Sequence, residues 1–243
     1  MEGIMRCSRY SFGPNRLHYC GPDANNELHG LIENGEDNIG LTILLQQFKT
    51  LYPYLKYIAR VNNIADPFDP LVVEAYWLGN KLLETVEKRT LHQFFIDVLR
   101  IKDKIGNKEF SWLEEKIGQG ALPHHSFHVL NIWRRTGEAD IAHTLESMSE
   151  CCVSSGVVTK VLGPIITVLT EPLIYKDGKL SLGSAISKTL TRQLEAEYDI
   201  EQIKVGQIVS IHWSVPCEII TKKQQNTLRN YTLKNIAFAN QTL

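Results

Sequence analysis

Apolar residues recur at helical spacing through the first part of the chain and gather into short β-branched runs further on. In NIGLTILLQQFKTLYPYLKYIARVNN, Leu41, Leu44, Leu45, Phe48, Leu51 and Leu55 fall near a helical period, and Pro53 is expected to kink or divide the helix. DPLVVEAYWLGNKLLETV predicts a second helix, with Asp69 capping free amides and Pro70 in the first turn. A third is expected in TLHQFFIDVLRI behind Thr90, and Ser111 to Glu114 reads as a capping box. LPHHSFHVLNIWRRTG and EADIAHTLESMS complete a helical bundle that ends near Ser149.

From Cys152 the pattern changes. SGVVTKVLG, PIITVLTEPLIY, KLSLG and QIVSIHW are short strand-like runs punctuated by Gly and Pro, and Asp177-Gly178 supplies the positive φ that a type I′ hairpin turn needs. In VGQIVSIHWSVPCEII, Ile208, Ile211, Val215, Ile219 and Ile220 predict a buried strand pair. Behind Thr221, the residues Leu228, Tyr231, Leu233, Ile236, Phe238 and Ala239 predict a closing helix. The expected fold is therefore α+β: a helical domain over residues 1–149, then a small β-barrel with a C-terminal helix over residues 152–243.

Composition narrows the classes. At 243 residues the chain can bury a sizeable core, and 43% apolar with 22% charged residues is ordinary for a globular protein. A net charge of −1 gives no global attraction to phosphate backbones or anionic membranes, so no nucleic-acid or membrane partner is expected. No secretory signal and no apolar run approaching the roughly 18 residues of a membrane span is visible, which predicts a cytoplasmic location. Five cysteines, an odd number widely spread, suggest reduced thiols rather than a disulfide framework.

Cys152 stands where the helical half meets the first strand, His212 ends the strand IVSIH, and Cys217 follows a Pro-containing turn. All three are expected at one rim. Thiolate and imidazole together suit iron, zinc, nickel or copper, and Cys152 with His212 is the expected metal-binding pair. The alternative is that both cysteines are small buried hydrophobes and His212 a hydrogen-bonded core histidine. Two secondary candidates stand apart. Cys20 lies beside His18 in FGPNRLHYCGPD, either a rigid non-helical loop that grips a ligand or an N-terminal strap over the bundle. His124 and His128 share one helical face with His125 turned away, which fits either metal binding or capping and packing behind Pro123. Cys7, Cys151 and the Trp-bearing helices read as structural.

The order CVSSGVVTKV, a string of short strands, then IKVGQIVSIHWSVPCEIITKKQQNTL resembles the HypC/HupF family of hydrogenase maturation chaperones. Cys152 falls where that family has its essential cysteine, Gly156 on its glycine, Gly206 in the lead-in of the later strand and His212 on its histidine. Here the cysteine is internal, Gln207 stands where the family has Asp, and Cys217 has no counterpart. With RYSFGPNRLHYCGPD and PHHSFH in front, the whole chain also resembles an uncharacterised prokaryotic family associated with hydrogenase gene neighbourhoods. The resemblance implies a non-enzymatic accessory protein or chaperone of nickel–iron hydrogenase maturation. Its cargo would be iron or an iron-cyanide-carbonyl fragment, and its partners the hydrogenase large subunit or another maturation protein. Two other functions remain open from the residues: a thiol-dependent enzyme with a Cys–His pair, and a non-catalytic docking module. No phosphate-binding glycine loop or dinucleotide fingerprint is present.

Overall fold

A computed structural model describes residues 3–35, 39–132, 144–191 and 202–243. It opens on a helix that apolar periodicity does not reveal, α1 (Gly3–Arg16), whose sequence GIMRCSRYSFGPNR carries five basic or hydroxyl side chains before Phe12. Nearly the whole helix is buried, including Arg6, Ser8, Arg9, Ser11 and Asn15. A helix of this composition survives in a core because several of its polar groups are matched. Ser8 and Ser11 donate to the Met5 and Cys7 carbonyls of their own helix. Arg6 donates from Nε and Nη2 to Glu218 at 3.0 and 2.9 Å, from Nη2 to Glu74 at 3.1 Å and from Nη1 to the Pro70 carbonyl.

Around α1 stand α2 (Asn25–Glu33), α3 (Ile39–Gln46), α4 (Leu51–Val61), α5 (Pro70–Trp77), α6 (Lys88–Asp97), α7 (Ile101–Ile105), α8 (Asn107–Gly118), α9 (His125–Asn131) and α10 (Leu145–Cys151). The expected long helix is divided between α3 and α4, but Pro53 lies inside the first turn of α4 rather than at the break. Asp69 caps α5 through the Leu71 amide as expected, and the helix stops at Trp77. Ser111 is not a cap: it sits inside α8, its hydroxyl bonded to the Lys108 carbonyl. Residues 133–143, part of the two last expected bundle helices, lie outside the described residues.

The strands are β1 (Ser154–Leu162), β2 (Ile165–Thr170), β3 (Leu173–Lys176), β4 (Lys179–Leu182), β5 (Ile186–Thr191), β6 (Ile208–His212) and β7 (Val215–Ile220), followed by α11 (Lys222–Ala239). Asp177 and Gly178 turn β3 into β4 with φ of 52° and 78°, the hairpin the sequence predicts. Thr221 caps α11 in a capping box with Gln224. Among the described residues the expected barrel is not closed. One antiparallel sheet has the order β5-β2-β1-β6-β7, so β5 and β7 are its edges and are not paired to each other, while β3 and β4 form a separate pair. Among the described residues no helix is long and apolar enough to cross a membrane.

The fold is α+β, and its main core runs across the change of texture near residue 150. Val153, Val215, Cys217, Ile220, Leu228 and Phe238 are buried in the same cluster as Tyr10, Tyr54, Tyr76 and Phe127. Glu218 of β7 and Glu74 of α5 meet on Arg6, and Gln224 of α11 donates to Glu74 at 2.8 Å. Burial opposes the Arg6 charge, yet Glu218, Tyr10 and Glu74 together raise its pKa above the ordinary guanidinium value.

Removing one partner of such a group leaves a buried charge uncompensated. Arg6→Ala is therefore expected to lower unfolding free energy by roughly 3–5 kcal/mol. Denaturant titrations followed by circular dichroism and by tryptophan fluorescence check this, and the two signals are expected to move together because the helices and sheet share one core.

Candidate metal centre

Pro14 lies in the last turns of α1 and has no amide hydrogen, so the carbonyl of Tyr10, four residues back, cannot receive its usual helical bond. That carbonyl accepts from His212 Nδ1 instead, at 2.6 Å. His212 ends β6 and is 2% exposed. Burial lowers its pKa to about 4, only partly offset by the Tyr10 and Cys151 carbonyls and by Glu150, so the ring is neutral near pH 7. A neutral ring that donates through Nδ1 carries a lone pair on Nε2, and this nitrogen has no hydrogen-bond partner. A buried imidazole nitrogen without a partner is unusual, and it is the state in which histidine ligates a metal.

Two further ligand atoms gather there. Those of His125, Cys151 and His212 all lie within 4.8 Å of one another. His125 opens α9, and its ring stands edge-on to that of His212, with centroids 5.2 Å apart. Its Nδ1 accepts from Tyr76 Oη at 3.1 Å, while Nε2 donates to the Cys151 carbonyl at 2.8 Å and lies 3.8 Å from Cys151 Sγ. Burial, then the neighbouring His212, pushes its pKa well below the usual value. Trp77 packs against both rings, at 4.5 Å from His125 and 5.2 Å from His212. This set of two imidazoles and one thiol is the donor set of a borderline or soft transition metal.

The turn joining β6 to β7 is under backbone strain beside this cluster. Trp213 and Ser214 have φ of 51° and 59°, a region that suits Gly or Asn. Three contacts hold it. Trp213 donates its amide to the Glu150 carbonyl, Ser214 Oγ donates to the Glu150 carboxylate at 2.6 Å, and the Trp213 ring stacks on Tyr19 at 4.2 Å. Lys188 of β5 also meets the Glu150 carboxylate. Gly13 of α1 makes the close approach possible, since a Cβ there would lie 2.9 Å from that of Trp213.

Of the expected site residues, the structure brings only His212 to this cluster. Cys152 follows the last residue of α10 with an extended backbone, so it turns away from Cys151. It is buried with Val129, Met148, Leu173 and Ile236, and forms part of the wall of a cleft of about 510 Å³. Burial raises its thiol well above the ordinary range, the opposite of an activated thiolate. Cys217 is the extra residue of a bulge: Ser210 pairs with Glu218 and Ile211 with Pro216, which leaves Cys217 unpaired and turned into the main core. Its pKa is likewise raised, mainly by burial. His124 caps α9 by accepting from the Ser126 amide and stacks on Tyr231 at 5.0 Å. His128 bonds Tyr54 Oη at 3.1 Å. His18 is exposed near Asp23 and Asn25. Cys20 is half-buried in the turn that follows α1, so FGPNR is helix and the Gly-Pro pair before Cys20 does not form a loop.

The fold and the cluster define an α+β protein with a candidate transition-metal centre of two imidazoles and one thiol at the junction of α1, α9, α10 and the β6–β7 hairpin. The chain belongs to the family described as "Family of unknown function (DUF6390)", which matches residues 1–243. No curated protein and no solved structure matches it.

Because His124 and His212 are held neutral, the unfolded chain takes up their protons first on acidification. His124 is lowered by burial to about 3 and His212 to about 4, against 6.5 when unfolded. Stability of the metal-free protein is thus expected to be flat above pH 6.5 and to fall as pH drops from 6.5 towards 3, by roughly 3–5 kcal/mol per histidine. His124→Asn, which keeps a capping side chain, is expected to flatten the slope of melts recorded across this window.

Proposed function

We propose that this protein is an accessory factor of metalloenzyme maturation that holds a transition metal at His125, Cys151 and His212. The observation that carries this reading is the buried, partnerless Nε2 of His212, fixed by a Pro14-released carbonyl and facing an imidazole and a thiol. Metal binding at His125 Nε2 would shift that ring's proton to Nδ1, where Tyr76 Oη can accept it, so the ligand's outer partner is already in place. A thiolate anchors soft and borderline metals strongly yet exchanges with another thiolate, as transfer to a client requires. The resemblance of residues 152–243 to HypC/HupF chaperones supports iron, or an iron-bound intermediate, as cargo and the nickel–iron hydrogenase large subunit as client. In this reading the anchoring thiolate is Cys151.

The second reading is a thiol-dependent enzyme, favoured by the 3.8 Å approach of Cys151 Sγ to His125 Nε2. Against it, a Cys–His pair works by placing the thiol proton on the imidazole, and burial holds both imidazoles neutral. The first reading predicts about one equivalent of iron, zinc or cobalt per chain in metal analysis after reconstitution, lost in Cys151→Ala and kept in Cys152→Ala. Rapid alkylation of Cys151 with no metal bound would support the enzyme instead. In a host that makes a hydrogenase, Cys151→Ala is expected to leave its large subunit immature.

Pro14 also makes a checkable claim. Pro14→Ala restores an amide that competes with His212 for the Tyr10 carbonyl, and is expected to weaken metal affinity by roughly tenfold in competition titrations.

A further inference from the structure

A second group of polar side chains lies where α8 meets the end of α9 and the residues after α11. Glu109, Trp112 and Lys116 follow one another on α8 at spacings of three and four residues, so they share one face of it. With Ile105, Asn131, Ile132 and Thr242 they line a pocket of about 260 Å³. Lys116 is only 2% exposed. Its ammonium has three donor hydrogens, and among the described residues it bonds one acceptor, Thr242 Oγ1, at 2.9 Å. Thr242 Oγ1 in turn donates to the Ala239 carbonyl at 3.3 Å, so it meets Lys116 as a neutral acceptor. Burial lowers the pKa of Lys116 to about 8, against the opposing pull of Glu115, so the group is still charged at neutral pH. A buried cation with only a neutral partner is costly, and an anion relieves that cost.

Asn131 lies at the opposite end of α9 from His125 and is buried as well. Its Nδ2 donates to the Asn235 carbonyl at 3.1 Å, which fixes the orientation of the amide. Oδ1 is buried and has no partner among the described residues. The pocket therefore holds an underused donor and an unused acceptor, and the exposed residue Glu109 adds a carboxylate. In the larger cleft beside Cys152 the cations are already matched, Lys188 by Glu150 and Arg229 by Glu171. The smaller pocket is the one whose polar groups call for a ligand.

We propose that this pocket binds a free α-amino acid with an apolar side chain. The ligand's carboxylate accepts from Lys116, its ammonium donates to Asn131 Oδ1 on the side of Glu109, and its side chain lies against Ile105, Trp112 and Ile132. A ligand that is only an anion meets Glu109 as a like charge, and one that is only a cation meets Lys116. A zwitterion satisfies both. The volume lies just below the usual range for drug-sized ligands, which suits a molecule this small. The inference stands apart from the metal reading, since none of these residues belongs to the His125, Cys151 and His212 cluster.

Isothermal titration calorimetry on the full-length protein at pH 7 tests this with L-leucine and L-phenylalanine as probes. At least one is expected to bind with a stoichiometry of about one per chain. N-acetyl-L-leucine, which lacks the ammonium, and L-leucinamide, which lacks the carboxylate, are expected to bind at least about tenfold more weakly than L-leucine, or not at all. These comparisons need no variant. Lys116→Met removes the cation at nearly constant volume and is expected to fold, because an apolar side chain replaces a buried charge. It is expected to lose amino-acid binding, while Glu109→Gln at its exposed position weakens it only about threefold. Absence of heat with both amino acids at millimolar concentration overturns the proposal. So does equal binding of leucine and its two blocked analogues, or undiminished binding by a folded Lys116→Met variant.

Discussion

Tyr10 is the residue on which fold and site both depend, because the core fixes it at both polar ends. Its hydroxyl donates to Glu218 at 2.6 Å and lies 2.8 Å from Ser210 Oγ, which ties α1 to β6 and β7. Its carbonyl, which Pro14 leaves without a helical donor, fixes the His212 ring. Between them the phenol ring stacks on Trp77 at 5.0 Å, and Trp77 in turn flanks both histidines of the cluster. One side chain therefore couples the buried charge network to the candidate centre. A shift of α1 along its axis would disturb the Arg6–Glu218–Glu74 network and the His212 tautomer together. The tight packing of Gly13 on the β6–β7 turn leaves little room for such a shift.

What the sequence reveals and conceals follows from where apolar side chains are needed. The caps of α5 and α11 and the Asp177-Gly178 hairpin are legible because local chemistry decides them: a carboxylate or hydroxyl on free amides, and two residues that tolerate positive φ. The helix α1 is not. Its burial is achieved by pairing polar groups with residues more than sixty positions away, and no local pattern encodes those partners. The same reason hides the bulge at Cys217, which depends on the register of β6 against β7.

The site was half legible for a related reason. His212 stands out as a polar residue at the end of an apolar strand, but its partner is decided by helix phase. His124 is the cap and not the first helical residue of α9, so the four-residue spacing to His128 does not describe a ligand pair, and His125 is the residue presented to β6. At the other junction α10 ends on Cys151 and the backbone turns extended at Cys152, so adjacent thiols face different clusters. The available signal was the Thr144 capping box, which sets the phase of α10. The boundary between helix and strand expected at Cys152 is where the backbone turns, and it separates the two thiols.

Strain and burial act together at the centre in a way that suits a ligand site better than a nucleophile. A nucleophilic thiol needs a stabilised thiolate and some reach to solvent, and both neighbouring imidazoles are held uncharged by apolar surroundings. A metal ion reverses that logic, since it requires neutral imidazoles and itself supplies the charge that stabilises the thiolate. The left-handed Trp213–Ser214 turn costs on the order of 1–3 kcal/mol per residue, and it persists because Glu150, itself paired with Lys188, and Tyr19 hold it. Those contacts also fix the backbone on both sides of the cluster: Glu150 precedes Cys151, and Trp213 follows His212. The bond from the Trp213 amide to the Glu150 carbonyl therefore joins the residue before the thiol to the residue after the imidazole, so the strain lies directly beside the donor atoms.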